Sequence, residues 1–425
     1  MRTLDVHLHG ERIGTLFPAG EGDCRLAYSP EAVAKAGPGA TLLSTVLPAR
    51  AEPYGGEATS AYLEGLLPEG PRRERIAREF GIDPGDACGL LAEIGRDCAG
   101  AVSLRPQGAE DTADPTPPAW LTEDELEGLI DCQPPRRLFD PGSKHRMRAS
   151  LAGVHHKLAL VREEGSGRWS WPGPGWPSTH IVKPETGEFP GLAANEHFCM
   201  EVARCAGLAV AHTEHELIAG RPCLVSRRFD RAGTGAGATC IHQEDFCQAL
   251  GFPPPGLAAT PLAPAGEQDV EPGFAEVCGL LGALGRRDQV PDLLTAAVFN
   301  YAVGNGDAHG KNFAVLHAGL GPSLAPLYDL SSTVVYDLPT HVGMVLTGDC
   351  TETAYLLDMD HVCQECDYGL DPFRELVSEV ATRIAAGLEE VVERSHREGW
   401  HAPVIDQIAE LAEGRALGLG YEVEY

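Results

Sequence analysis

The residues best suited to chemistry form one run, Gly306-Asp307-Ala308-His309-Gly310-Lys311-Asn312, which leads into an apolar stretch over 313–316. An Asp followed five residues later by an Asn, and then by an apolar strand, is the spacing of a phosphoryl-transfer loop. In such loops the carboxylate receives the proton of the attacking hydroxyl and the amide oxygen ligates Mg²⁺. A second strand is expected over 324–328, after the turn at Gly321 and Pro322, and it ends in Asp329. A hairpin of that kind would return Asp329 to Asn312. Mg²⁺ is a hard cation that takes oxygen donors and few protein contacts, so one Asn, one Asp and the phosphates of ATP satisfy it. Taken singly, Asp307 reads as a helix cap and Asp329 as a turn residue, both common uses of that side chain. The spacing and the returning strand favour the chemical reading.

Lysine placement points the same way. The chain has 33 basic residues but only five lysines, Lys35, Lys144, Lys157, Lys183 and Lys311. In kinases a small-residue loop covers the phosphates, and a strand lysine holds them while pairing with a helix glutamate. Ser150 to Lys157 supplies such a loop through Ala152, Gly153 and Val154, although its single glycine alone would mark an ordinary turn. Lys183 closes an expected strand over 180–183, and Glu196 lies one turn into the helix expected over 193–206. Phe229, within Arg227-Arg228-Phe229-Asp230-Arg231, closes the last strand before a helical half, where a kinase offers backbone groups to adenine. The alternative is that Phe229 is a core anchor and Asp230 a surface partner of its arginines. Residues 242–247 read as a helix start whose polar side chains are caps.

Positioning these residues takes two or three globular units, because 425 residues exceed one ordinary core. At 43% hydrophobic and 22% charged the composition is globular. A hairpin is expected at the start, with Leu4, Val6 and Leu8 alternating before a turn at His9-Gly10. Helical spacing follows over 59–80, broken at Pro68 to Pro71, and a helix end near Gly95 passes into a strand over 101–104. Pro, Gly, Asp and Thr crowd 105–119 and mark a boundary. Thr122 and Glu125 then form a capping box for a short helix through Ile130. Strands are expected at 157–161, 169–171, 214–218 and 222–226. The Pro/Gly-rich stretch 252–273 reads as a surface loop, and Asp371-Pro372 as the cap of a long helix down to Ser395. The thirteen cysteines are odd in number and irregularly spaced, so at least one is unpaired within the chain. Cys363-x-x-Cys366 has no matching second pair and reads as two unbridged thiols in a loop or helix start. The start of the chain lacks the apolar core of a signal peptide, and no stretch approaches the roughly 20 apolar residues of a membrane span. A reducing cytoplasm is the simplest home.

At these residues the chain resembles the HipA family, the serine/threonine kinase toxins of bacterial toxin–antitoxin pairs. The resemblance is carried by Gly65 to Gly70, Leu91 to Val102, Ser150 to Lys157, His180 to Lys183, Asn195-Glu196, Arg228 to Arg231, His242 to Gly251, Asp307 to Asn312 and Tyr328-Asp329, in that order. It implies an α+β, two-lobed protein-kinase-like fold, with a β-rich N-lobe over 149–230 and a helical C-lobe over 231–425. It also implies an additional β-rich N-terminal subdomain over 1–105, joined by a linker with a short helix over 106–148. Asp307 would be the catalytic base, Asn312 and Asp329 the Mg²⁺ ligands, and Ala152, Gly153, Val154, Lys157, Lys183, Glu196, Arg227, Phe229, His309 and Lys311 the nucleotide contacts. Ser150 matches a regulatory autophosphorylation site. Implied partners are a protein substrate, an aminoacyl-tRNA synthetase in the family, and a HipB-like helix-turn-helix antitoxin that carries the complex to operator DNA. His155-His156 departs from the family, which more often has Gln followed by a polar or charged residue. A small-molecule kinase, or a non-catalytic component of a repressor complex, would be the alternatives. A pure scaffold has no need of Asp307, Asn312, Asp329 and Lys183 together.

The net charge of −29 gives a direct expectation. Phosphate contacts dominate duplex binding and need a cationic surface. In a gel shift at physiological salt the isolated chain should leave duplex DNA unshifted, with retardation appearing only when a basic helix-turn-helix partner is added.

Overall fold

The structure is a computed structural model, and it describes residues 3–19, 24–109, 118–131, 156–233, 235–253, 272–319, 321–336 and 359–424. Ser150, Ala152, Gly153, Val154 and His155 lie outside the described residues, as does 254–271 of the expected surface loop.

The chain opens with the expected hairpin. Strands β1 (Leu4–Leu8) and β2 (Glu11–Pro18) are joined by His9 and Gly10, both left-handed at φ 51° and 80°, as tight two-residue hairpin turns demand. Strand β3 (Cys24–Tyr28) and helix α1 (Pro30–Ala36) follow. The proline-rich break separates α2 (Glu57–Gly65) from α3 (Gly70–Phe80). Helix α4 (Ala87–Ile94) leads into β4 (Val102–Pro106), completing an antiparallel sheet in the order β3-β2-β1-β4. A disulfide joins Cys24 and Cys88, a pairing the cysteine spacing did not indicate. The capping box forms on α5 (Glu123–Ile130), where Thr122 N donates to Glu125 at 2.8 Å.

Strands β5 (Leu158–Arg162), β6 (Trp169–Ser170) and β7 (His180–Pro184) pair antiparallel around β5. Then come α6 (Leu192–Cys205) and the hairpin of β8 (Thr213–Ile218) with β9 (Arg221–Arg227). Short strands β10 (Arg231–Ala232) and β11 (Thr239–Cys240) pair, and β12 (His242–Asp245) precedes α7 (Phe246–Leu250). Residues 242–245 are therefore strand, and the helix starts after Asp245, which caps it. The remainder is α8 (Phe274–Ala283), α9 (Val290–Val303), β13 (Ala314–Ala318), β14 (Gly321–Leu324), α10 (Met359–Cys366), α11 (Leu370–Glu398) and α12 (Pro403–Glu424).

Three expectations shift here. Strand β14 ends at Leu324, so 325–329 is irregular chain rather than strand. Helix α11 starts one residue before Asp371, with Gly369 at its cap, because a proline in the first turn lacks only an N–H that has no intrahelical partner anyway. Cys363 and Cys366 lie inside α10 and are buried, unbridged thiols. Among the described residues no helix is long and apolar enough to cross a membrane.

The chain divides into two compact units. One comprises Met1–Pro184, Arg227–Val270 and Val315–Gly321, the other Glu185–Ser226, Glu271–Ala314 and Pro322–Tyr425. In the second, α6, α9, α11 and α12 pack together, with Phe198, Phe299, Phe373 and Ile384 fully buried. In the first, the segment after β9 is fastened to the turn before β4. Arg228 makes a forked pair with Asp230, Nε to Oδ1 at 2.9 Å and Nη2 to Oδ2 at 2.6 Å, and also reaches Ser178 Oγ and Cys98 O. Arg231 Nη2 donates to Asp97 at 2.8 Å, and its Nη1 donates to Gly100 O at 2.9 Å. Gly100 N donates to Asp230 at 2.7 Å, and Ser178 N to Asp97 at 3.1 Å. Gly100 has φ 73°, and a Cβ there would stand 2.7 Å from Gln243 N, so glycine is required. All four charged side chains are buried. Asp230 is thus no surface partner of its arginines; it sits at the centre of a desolvated network.

Burial by itself would raise the Asp230 carboxyl, but the Arg228 and Arg231 guanidiniums and the Gly100 N–H override it and hold it at about 2. A carboxyl depressed on folding contributes stability above its unfolded value near 3.8, and that contribution is lost as pH falls through about 2. Asp230→Ala leaves two buried guanidiniums undercompensated and should cost about 3–5 kcal/mol in urea unfolding. A change under about 0.5 kcal/mol would mean the network carries no stability.

Candidate active site

The loop bearing Asp307 hangs between the end of α9 and the segment 332–334, all within the second unit. Helix α9 ends at Gly304, left-handed at φ 72°, and the Gly304 carbonyl accepts from Thr333 N at 2.9 Å and Val334 N at 3.2 Å. Asn305 donates through its backbone to Asn300 O and through its side chain to Asn300 Oδ1, both at 2.9 Å. The same amide accepts from Asp307 N at 3.1 Å, while Gly306 N donates to Thr333 Oγ1 at 2.8 Å. The amides approaching Asp307 are all satisfied, yet its side chain is 59% exposed, with Oδ1 3.6 Å from His309 Nε2. A fixed backbone with an accessible carboxylate is what a proton acceptor for an external hydroxyl needs.

Gly310–Asn312 form a single helical turn. It folds Asn312 back so that Nδ2 donates to Asp307 O at 2.6 Å, alongside His309 N at 2.9 Å. With Nδ2 committed, the Asn312 amide offers Oδ1 as its remaining polar atom. His309 Nδ1 is buried and makes no hydrogen bond. Lys311 is buried, and its carbonyl accepts from Tyr328 OH at 2.6 Å.

That bond ties the Asp329 segment to the loop. On the other side Leu327 exchanges backbone bonds of 2.8 Å with Ala209 and Ala211, and Ala325 N donates to Ala314 O at 2.9 Å. Asn195 on α6 then bonds Ser332 twice, Nδ2 to O at 2.9 Å and Oδ1 from N at 2.8 Å. Between these clamps Asp329 has φ 59°, an uncommon conformation for a side chain with a Cβ and one that clusters at functional sites. Asn312 and Asp329 supply an amide oxygen and a carboxylate, a hard donor set that suits Mg²⁺.

Glu196 is buried on α6, next to Asn195. In the first unit, Lys157 is buried immediately before β5, Lys183 is half-buried on β7, Arg227 is exposed at the end of β9 and Phe229 is half-buried. The clamps formed by Asn195, Asn300, Asn305, Tyr328 and Thr333 escaped the sequence reading. Asn195 and Tyr328 carried a signal, since each adjoins a residue already singled out; nothing local marked Thr333.

Residues 149–391, more than half of the chain, match the HipA-like C-terminal domain. The chain belongs to the HipA family. Residues 4–105 match the HipA N-terminal domain. The chain is 37% identical to Y4mE of Sinorhizobium fredii, a protein provisionally named a kinase, over 98% of each. It is 29% identical to the serine/threonine-protein kinase toxin HipA of Shewanella oneidensis, over 65% of this chain and 64% of that one. Its structure is similar to HipA in the Shewanella oneidensis MR-1 complex of HipA, HipB and operator DNA, with a TM-score of 0.80 at 24% identity and 99% of each chain covered. The fold is accordingly the α+β, protein-kinase-like fold of HipA.

Gly304 gives this site a stability test. A Cβ there would lie 2.8 Å from Leu411 Cδ2 and 3.2 Å from Val334 Cβ, on a left-handed backbone. Gly304→Ala should therefore destabilise the chain by more than about 1 kcal/mol, read as a lowered urea midpoint with unchanged slope; an unshifted midpoint would show that the α9 end tolerates a side chain.

Proposed function

We propose that the chain is an ATP-dependent serine/threonine protein kinase of the HipA type. The observation that carries the reading is the Asp307 loop: an exposed carboxylate on a backbone whose amides up to Asp307 are bonded, with the Asn312 amide oriented by the Asp307 carbonyl. When bound, ATP with Mg²⁺ supplies the γ-phosphoryl group and neutralises the charge that develops on it. Asn312 and Asp329 would hold the ion. By the family's pattern Lys183 and Lys157 would hold phosphates, and Ala152, Gly153, Val154 and Glu196 are further nucleotide-site residues. Arg227 and Phe229 offer backbone to adenine, and His309 and Lys311 lie towards the nucleotide. Asp307 takes the proton of the substrate hydroxyl as that oxygen forms its bond to the γ-phosphorus and the bridging P–O bond to ADP breaks.

The family supports the rest of the reading. The protein substrate is an aminoacyl-tRNA synthetase, and a HipB-like antitoxin neutralises the kinase and brings it to operator DNA in the cytoplasm. Ser150 is the self-inactivating phosphosite: phosphorylation adds about −1.5 to −2 charges, which bound ATP repels and which Arg146 or Arg148 can pair.

Asp307→Ala should retain ATP affinity by calorimetry while phosphotransfer falls ~10²- to 10⁴-fold, and Lys183→Ala should weaken nucleotide binding itself. Phosphosite mapping after incubation with Mg-ATP should find Ser150 modified in the wild-type chain and not in Asp307→Ala. Unchanged turnover in Asp307→Ala would remove the catalytic assignment.

A further inference from the structure

Among the described residues, His396, His401 and Asp406 form a group whose ligand atoms all lie within 4.8 Å of one another. They stand where α11 turns into α12, away in sequence from the Asp307 loop. Gly399, left-handed at φ 79°, closes α11 by donating to Ser395 O and His396 O, and Trp400 N donates to Ser395 O at 3.1 Å. Trp400 is buried, its ring 4.6 Å from that of His197. These contacts fold His401 back over the last turn of α11, where its ring stacks on His396 at 3.6 Å and 18°.

Hydrogen bonding holds the His401 ring at Ser395. The Ser395 hydroxyl can donate to Val392 O at 2.7 Å. With the Ser395 proton so placed, Ser395 Oγ accepts from His401 Nδ1 at 2.8 Å; with the hydroxyl turned to Nδ1 instead, the imidazole proton sits on Nε2 and faces Asp406. A neutral His401 with its proton on Nδ1 presents a lone pair on Nε2, and Nε2 lies 3.2 Å from Asp406 Oδ2. In that tautomer two acceptors face each other, at a separation that suits a shared cation.

We propose that His401 Nε2, Asp406 and His396 form a binding site for a divalent transition-metal ion of the zinc class. The 3.2 Å separation is close to the edge of a zinc tetrahedron, about 3.3 Å for bonds of about 2.0–2.1 Å. An imidazole whose other nitrogen donates to a fixed acceptor is the usual arrangement of a metal-ligating histidine, and Ser395 is that acceptor. His396 and Asp406 are exposed and His401 half-buried, so His396 can turn its ring from stacking to ligation, and solvent fills the fourth position. The ion would pin the α11–α12 corner.

The test is calorimetric titration of the chelator-treated, full-length protein with Zn²⁺ near neutral pH, beside His401→Ala, Asp406→Asn and Ser395→Ala. Asp406 is a mostly exposed side chain, so Asp406→Asn guards against loss of folding. Expected is a zinc-binding event that weakens at least ~10-fold in each variant, with Co²⁺ giving visible bands of nitrogen and oxygen ligation rather than thiolate charge transfer. Zinc binding that is absent, or that persists unchanged in His401→Ala and Asp406→Asn, would overturn the proposal.

Discussion

Four charged side chains excluded from water govern the first unit. Asp97, Arg228, Asp230 and Arg231 are each buried, so each carries a desolvation cost that hydrophobic residues of similar volume would avoid. What makes them tolerable is near-complete pairing: forked bonds from Arg228 to Asp230, Arg231 bridging Asp230 and Asp97, and backbone groups of Cys98, Gly100 and Ser178 taking up other valences. Such a network is intolerant of displacement, because a shift that breaks one bond exposes a buried charge. The turn at 97–100 and the segment at 228–231 are thereby held in one register.

The consequence reaches beyond the ion pairs. The segment they hold contains Phe229 and follows Arg227, and it continues through β10 and β11 into β12. There His242 Nε2 donates to Leu43 O at 2.8 Å, and the fully buried Glu244 accepts from Thr45 N at 3.1 Å and meets His317 Nε2 at 2.8 Å. Gln248 reaches Tyr62 O at 3.0 Å, across a Gly65 whose Cβ would stand 2.6 Å from the Gln248 side chain. The N-terminal domain is therefore a polar complement to the 228–250 stretch, supplying acceptors and donors that this stretch buries. Removing it would leave those groups without partners in an apolar setting, a cost of about 1–3 kcal/mol for each.

The second unit solves the opposite problem, holding a backbone still while leaving one carboxylate in solvent. Apolar packing could not do this at Asp307, because apolar contacts are non-directional and would bury the side chain. Amide side chains and a hydroxyl do it instead: Asn300, Asn305, Asn312 and Thr333 bond the loop to itself and to the 332–334 segment, and Asn195 anchors that segment to α6. The strained Asp329 conformation is kept by bonds on both sides of it.

Features set by local chain chemistry were legible in the sequence: the His9-Gly10 hairpin, the Thr122 capping box, the strand and helix alternation from Leu158 to Arg227, and the Asp307 to Asn312 spacing that falls within a single loop. Each depends on residues a few positions apart, where side-chain period and turn preference act directly. What the tertiary structure alone decided lies at long range. Asp230 looked like a surface residue because Gly100, whose N–H it accepts, is 130 positions away, and Asn195 meets Ser332 across 137. The orientation of His401 needed Gly399 to turn the chain and Ser395 to hydrogen-bond its ring. Hydrogen bonds and ion pairs of this kind have no periodicity along the chain, so only folding, which brings their two ends together and removes water from between them, reveals which polar residues are partners.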